Sequence, residues 1–522
     1  MKNSETKQKT GAAILLEAAR DAGSTVCFAN PGTTEMPFVE AFDQVEGVRA
    51  VLGLFEGVCT GAADGYGRMT RVPATTLLHL GPGFANGIAN LHNARRARTP
   101  IVNLIGDHAS WHLAYDAPLT SDIDSLASPV SAWQRTSTSA QALADDVRDA
   151  MAAAQSGPGG IATLVVPVDF QQELLDAPTT RATTISGFAT VPAERIEAVV
   201  RSLRAGDGLV FLIGGEALSE RGQRAAARIA AATGAGLYSE TFPARTERGG
   251  GLPDIDRLPY FPEVAIQAIA GRTVVLAGAI APVAYFGYPG LPSLLAPADN
   301  TVLLSAPGED GAAALEALAD ALGAPEVAAL PVRKLAVADM PTGRLNPQAI
   351  GKVVSSLLPD QTIVSIEGGT CGYPFVTASA NAERHTILTN TGGAIGQGLP
   401  VALGASIACP DRRVIALQSD GSAQYTIQAL WTMAREQTPI TILIASNKRY
   451  AILQNELTRA GVTQYGPQAL KLTELDRPAI DWMALATAYG VPAVQVDSAE
   501  DLAVELSASL LLAGPRLIEM VL

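Results

Sequence analysis

Two side chains able to hold a hard divalent cation lie one helix and one strand apart in the last third of this 522-residue chain: Asp420, in Ser419-Asp-Gly-Ser422, and Asn447, in Ser446-Asn447. A carboxylate and an amide oxygen, joined by a backbone carbonyl, suit Mg²⁺. That ion prefers oxygen ligands in octahedral geometry and is commonly completed by phosphates and water. Gly421 lets backbone approach a phosphate, and Ser422 offers a hydroxyl at a helix start, where anions are already favoured. Taken alone, the same stretch is equally an ordinary strand-to-helix turn with aspartate as its cap.

The flanking pattern positions the pair. Val414 to Gln418 reads as a buried strand, Ile427, Leu430, Trp431 and Ala434 recur at helical spacing, and Ile440 to Ala445 reads as a second strand. Such a β-α-β unit winds right-handed with parallel strands. Asp420 and Asn447 should therefore emerge at the carboxyl edge, where α/β sheets bind ligands.

Composition narrows the partners. Apolar residues make up 48% of the chain and charged residues only 17%. The charged share is lean beside the usual ~25%, so subunit contacts are expected to cover part of the surface. A net charge of −14 argues against nucleic acid or an anionic membrane, both of which reward basic patches. No apolar run is long enough to span a bilayer and the first ten residues lack the apolar core of a signal peptide, so a cytoplasmic setting is expected. Cys27, Cys59, Cys371 and Cys409 are scattered with no C-x-x-C pairing, which predicts free thiols.

Length alone suggests about three domains. Residues 1–180 alternate helix and strand, with a helix around Ile14 to Ala22 and strands at Thr25–Asn30, Arg49–Phe55, Ala74–Leu80 and Pro100–Gly106. A linker is expected over Asp176–Ser186. A second α/β pattern covers 187–330, with strands at Leu209–Gly214, Gly236–Glu240 and Thr273–Gly278, and an irregular connection follows over Pro331–Pro341. A third segment, 345–522, carries the opening motif. The predicted fold is α/β, with three consecutive doubly wound parallel-sheet domains.

Leu54-Phe-Glu56-Gly-Val-Cys-Thr-Gly-Ala-Ala-Asp-Gly-Tyr-Gly-Arg68 and Gly392-Gly-Ala-Ile-Gly-Gln-Gly-Leu-Pro400, together with the opening motif, give the chain a resemblance. It resembles thiamine-diphosphate-dependent enzymes of the acetolactate synthase and benzoylformate decarboxylase type, over nearly its whole length and in the right order. The resemblance implies that the first segment binds the aminopyrimidine and the third the diphosphate. Glu56 would hydrogen-bond the pyrimidine N1′ and favour the imino tautomer that deprotonates the thiazolium. It further implies Mg²⁺ on Asp420, Asn447 and the main-chain oxygen of Arg449, with Gly369, Thr370, Gly421 and Ser422 at the diphosphate. Ile395 would prop the cofactor into its bent shape, Gly393 would offer a carbonyl to the amino group, and Pro31, Ala451 and Ile452 would line the remainder. The family usually reads Gly-Asp-Gly and Asn-Asn where this chain has Ser419 and Ser446. Neither change removes a metal ligand.

For the substrate side, the likeness to benzoylformate decarboxylase points to Asn30-Pro-Gly-Thr-Thr-Glu-Met-Pro-Phe38 and Leu78-His79-Leu-Gly-Pro-Gly83. Thr33 falls where those decarboxylases carry an active-site serine, and His79 where they carry a catalytic histidine able to donate and recover a proton. Their second histidine is absent. Pro282-Val-Ala-Tyr-Phe-Gly-Tyr-Pro289 offers Tyr285 or Phe286 instead. Leu388, Ile452 and Glu456 stand at the approximate pocket positions with Thr389 and Asn390 nearby, an arrangement smaller or more polar than a phenyl group requires. Asp107-His-Ala-Ser-Trp-His112 replaces a glutamine-containing turn and brings His108 and His112 into consideration.

The implied reaction is decarboxylation of a 2-oxo acid to an enamine that is protonated to an aldehyde or ligated to a second carbonyl compound. An acetolactate-type carboligase and a lyase acting on a 2-hydroxyacyl substrate remain alternatives. The implied assembly is a homodimer or homotetramer, with Glu56 and Asp420 meeting the cofactor from different chains. True synthases of the family also bind FAD, but Gly214-Gly-Glu-Ala-Leu-Ser is not a G-x-G-x-x-G fingerprint and leaves FAD without support. The same lack counts against a nicotinamide or flavin oxidoreductase. Retention of Glu56, Asp420 and Asn447 together counts against a catalytically dead binding subunit.

Overall fold

The computed structural model describes residues 8–176, 184–205, 208–327, 332 and 339–522. Most of both expected connections, 176–186 and 331–341, lies outside the described residues. Three sheets carry the architecture. The first has six parallel strands in the order Arg49–Leu52, Val26–Asn30, Ala74–His79, Ile101–Asp107, Ile161–Pro167 and Trp133–Thr136. The second has five parallel strands, Asp256–Arg257, Gly236–Ser239, Leu209–Ile213, Thr273–Ala277 and Thr301–Ser305. The third runs His385–Thr389, Thr362–Ile366, Val414–Ser419, Ile440–Ser446, Arg516–Val521 and Ala493–Val496, all parallel.

The third sheet is not purely its own. Thr246–Arg248, from the middle segment, adds an antiparallel edge strand against His385–Thr389. Periodicity cannot reveal such a strand, because three residues are too few to show alternation. The helix expected through Ile427 to Ala434 is likewise broken into a short turn at Asp420–Ala423, a 3₁₀ turn at Gln424–Thr426 and a helix at Ala429–Arg435. The strand expected to reach Phe55 ends at Leu52, so Glu56 is the first residue of the helix Glu56–Thr70.

That helix fixes the first sheet against the third. It packs on Gly398–Ala408, which is apolar all round and buried along most of its length, as a helix between two layers must be. Their backbones nearly touch: a Cβ on Gly65 would fall 2.1 Å from the Val401 carbonyl oxygen, and one on Gly404 would fall 1.8 Å from that of Ala62. The four cysteines are free, three of them buried. No helix among the described residues is long and apolar enough to cross a membrane.

Gly404→Ala is expected to destabilise the protein by about 1–3 kcal/mol, because backbone cannot yield to an added methyl as a side chain can. A fall in the thermal unfolding midpoint reads the effect. Gly287→Ala, with nothing within 4 Å of the added methyl, is the control expected to leave the midpoint unchanged.

Candidate functional site

At the carboxyl edge of the third sheet, Ser419 pairs in register with Ala445, which sets Asp420 beside the turn after Ser446. Asp420 is 2% exposed. One of its carboxylate oxygens accepts the Gly421 N–H at 2.9 Å and the other the Lys448 N–H at 2.6 Å. Burial lifts this carboxyl above the usual aspartate range, and the backbone donors pull it back. Lys448 takes a left-handed φ of 57°, folding the turn over Asp420. Asn447 Oδ1 accepts the Arg449 N–H at 3.1 Å, and its Nδ2 donates to Thr370 Oγ1 at 3.4 Å.

Asp420, Asn447 and Thr370 are therefore brought together, beside the start of the helix Gly369–Ala378. Gly421 is required where it stands, since a Cβ there would lie 2.4 Å from the Tyr450 ring. No group of three His, Cys, Asp or Glu side chains able to hold a metal occurs among the described residues. One carboxylate, one amide and main-chain oxygens do fit a Mg²⁺ ion completed by phosphate and water.

A half-buried carboxylate with no role expected from the sequence organises the next loop. Glu367 accepts the N–H groups of Gly396 at 2.6 Å, Gln397 at 3.1 Å and Gly398 at 2.9 Å. Burial raises its carboxyl and those three donors oppose the rise. The loop is clasped from the first domain too: Asn93 donates to the Ala394 oxygen at 2.7 Å and accepts its N–H at 3.1 Å. On this rigid loop Ile395 stands 37% exposed, an apolar side chain with a bare face. Gly393, at φ +80°, lies against the middle segment, where a Cβ would come 3.1 Å from Tyr285 Oη. Tyr285 thus approaches the loop from the stretch that lacks the expected histidine.

At the edge of the first sheet, Glu56 is 8% exposed and accepts from Asn86 Nδ2 at 3.0 Å. Among the described residues no hydrogen bond joins it to Asp420, Asn447 or the Gly393–Ile395 loop. His79 ends its strand, and its Nδ1 lies 2.8 Å from Glu35 Oε2 and 3.2 Å from Thr34 Oγ1. Glu35 is fully buried and also receives the Thr34 hydroxyl at 2.6 Å and the Gly32 N–H at 2.7 Å. An acceptor oxygen there favours the proton on Nδ1.

Two glycines make room for this pair. A Cβ on Gly32 would lie 2.4 Å from the His79 ring, and one on Gly106 would lie 2.0 Å from Glu35 Oε1. Leu80, held at φ +51°, turns the chain directly after the histidine. The signal for Glu35 was present in Asn30-Pro-Gly-Thr-Thr-Glu35, but an acid is normally read as surface unless its partner is known. Thr33 opens the 3₁₀ turn Thr33–Glu35 and is exposed, with Pro31 just before it.

Other expected positions separate. Leu388 is fully buried in the core, whereas Thr389, whose hydroxyl donates to the Pro243 oxygen at 2.7 Å, lines a cavity between the middle and third sheets. Ile452 is exposed beside Ala451 at the start of the helix Ala451–Arg459, and Glu456 faces Tyr288 Oη at 3.3 Å. The His108 and His112 rings pack edge to face at 5.5 Å. His108 has its backbone N–H bonded to Asp107 at 2.7 Å and no hydrogen bond to His79. In the middle sheet the half-buried carboxyl of Glu240 lies over Gly214, where a Cβ would come 2.6 Å from it.

The description "Thiamine pyrophosphate enzyme, N-terminal TPP binding domain" matches residues 9–128, and "Thiamine pyrophosphate enzyme, C-terminal TPP binding domain" matches residues 368–520. The chain is 47% identical to "Putative acetolactate synthase large subunit IlvX" of Mycobacterium tuberculosis, over 98% of each chain. It is 30% identical to the benzoylformate decarboxylase of Pseudomonas aeruginosa, again over 98% of each. In fold it is similar to the thiamine diphosphate-dependent 4-hydroxybenzoylformate decarboxylase of Rhodococcus jostii, with a TM-score of 0.82 and 24% identity over 98% of this chain and 99% of that one.

Glu35→Gln keeps the shape of the buried turn but replaces the acid facing the histidine with a neutral amide that can turn its NH₂ toward Nδ1. Its turnover is expected to fall about 10–100-fold with cofactor affinity unchanged, and ¹⁵N spectra of the His79 ring should lose the Nδ1-protonated form. Glu240 supplies a pH prediction. Burial pushes its carboxyl up to about 7, so its neutral form is favoured in the folded protein. That contribution is full below the ordinary carboxylate range and is lost as pH rises through about 7. Glu240→Gln should therefore gain thermal stability relative to wild type at about pH 8.5 compared with about pH 5.

Proposed function

The chain belongs to the thiamine-diphosphate-dependent enzymes, and from that membership we propose that it binds thiamine diphosphate with Mg²⁺ and decarboxylates a 2-oxo acid. The observation that carries the reading is the pairing of a buried acid, Glu56, at one sheet edge with the Asp420–Asn447–Thr370 constellation at another. Bound thiamine diphosphate supplies a carbon nucleophile and an electron sink for loss of carbon dioxide. Asp420, Asn447 and the Arg449 carbonyl hold the cation, while Gly369, Thr370, Gly421 and Ser422 meet the diphosphate. Ile395 supports the cofactor through its bare face, Gly393 offers a carbonyl to the amino group, and Pro31, Ala451 and Ile452 line the remaining walls. Glu56 holds a proton at the pyrimidine N1′. Thr33 orients the substrate carboxylate, and His79, held by Glu35 through Nδ1, moves a proton at Nε2.

The exposed large apolar side chains Met36, Leu54, Ile395, Tyr425, Ile452 and Leu453 follow the carboxyl ends of strands in the first and third sheets. A patch of that kind marks a contact surface and supports a homodimer or homotetramer whose sites lie between subunits. The cytoplasmic setting rests on the free cysteines. An acetolactate-type carboligase is the second reading, favoured by the relative at 47% identity. The two share every step up to the acceptor.

Incubation with thiamine diphosphate, Mg²⁺ and a panel of 2-oxo acids, with and without aldehydes, followed by mass spectrometry, separates them. An aldehyde product marks a decarboxylase and a hydroxyketone a carboligase. Glu56→Gln is expected to lower turnover by about 10²–10⁴-fold while the cofactor still binds. Wild-type turnover by that variant on every active substrate would overturn the mechanism.

A further inference from the structure

Between the edge of the middle sheet and the flank of the helix Gly369–Ala378 lies a cavity of about 60 Å³. On volume it accepts roughly four water molecules, or one group of carboxylate or phosphate size. Phe242 and Tyr373 give it aromatic walls, Ser239 a hydroxyl, and Arg248 and Arg257 positive charge.

The lining carries two acids and two arginines, but both acids are engaged away from Arg257. Glu247 is engaged by Arg245 at 2.8 Å and by the Thr386 hydroxyl at 2.8 Å, and Glu367 is spent on its three backbone donors. Arg248 pairs with Asp254 at 2.9 Å yet keeps a buried Nε–H without a partner. Arg257 has no carboxylate partner among the described residues. Its guanidinium sits 3.9 Å from the Tyr373 ring centroid and 5.7 Å from that of Phe242, interacts with the Tyr373 hydroxyl and makes one long contact of 3.5 Å to the Thr241 oxygen. Burial depresses the Arg257 pKa below the usual arginine range. Arg257 is half-buried; stacking recovers part of the cost of withdrawing the cation from water, but such a charge normally has a hydrogen-bonded counter-ion as well.

We propose that this cavity is a binding site for a small oxyanion, a carboxylate or a phosphate, held by Arg257 against the Tyr373 and Phe242 rings with Arg248 as a second donor. The site is separate from the cation constellation, since Asp420, Asn447 and Thr370 are not on its lining. It shares Glu367 and Gly369 with the neighbourhood of the cofactor loop, so an occupant would press on the elements that shape that loop. The inference does not depend on which reaction the enzyme performs.

Calorimetric titration of the thiamine diphosphate- and Mg²⁺-loaded protein with sodium acetate, inorganic phosphate and neutral acetamide tests it. Loading the cofactor removes the diphosphate site as a competitor. Acetate or phosphate should bind wild type at one site, and whichever binds more tightly identifies the anion class; acetamide should not bind. Arg257→Met should weaken that binding by about tenfold or more, the scale of one lost charged hydrogen bond, whereas Arg257→Lys should retain part of it. Failure of both anions to bind wild type, or equal binding by Arg257→Met, would overturn the proposal. Should Arg257→Met not fold, bromide-soaked wild-type crystals decide: an anomalous peak beside Arg257 supports the site, and its absence refutes it.

Discussion

The contact on which this structure depends is the one between the helices Glu56–Thr70 and Gly398–Ala408, where Gly65 and Gly404 let two backbones meet with no side chain between them. It places the first and third sheets in one body. The first residue of one helix is Glu56, and the other begins where Glu367 gathers three N–H groups. The acid proposed for proton work and the loop proposed to support the cofactor are thus the leading ends of two helices in contact. Neither can shift without straining backbone that has no spare room.

Carboxylates at turns are a second constraint: Asp420 and Glu367 are placed by several backbone N–H donors, whereas Glu35 accepts one N–H and pairs with His79. Burial raises the Asp420 and Glu367 carboxyls and their N–H donors oppose the rise. The same economy is missing at Arg257, where stacking stands in for a counter-ion.

Much of the site was legible because its signals are local. Asp420, Gly421 and Asn447 follow buried strands of a β-α-β unit, and parallel topology brings them to one edge. Glu56 sits inside a glycine-rich helical stretch whose glycines serve close packing. Glu35 and Glu367 escaped because their partners lie far along the chain, at His79 and at Gly396 to Gly398. Leu388 and Thr389 alternate across one strand, so Leu388 enters the core while Thr389 borders the cavity beside Arg257. The edge strand Thr246–Arg248 escaped because its pairing joins two segments that read as separate.

Under the proposed function, Glu56 of one subunit and Asp420 of another would complete a single cofactor site. Mixing inactive Glu56→Gln with inactive Asp420→Asn protein under subunit exchange tests it most directly. If sites lie between chains, each mixed dimer holds one site with both native residues, and activity should return to about a quarter of wild type. If one chain supplies both residues to the same cofactor, every site retains a defect, and a mixture that stays inactive despite demonstrated exchange would contradict the account.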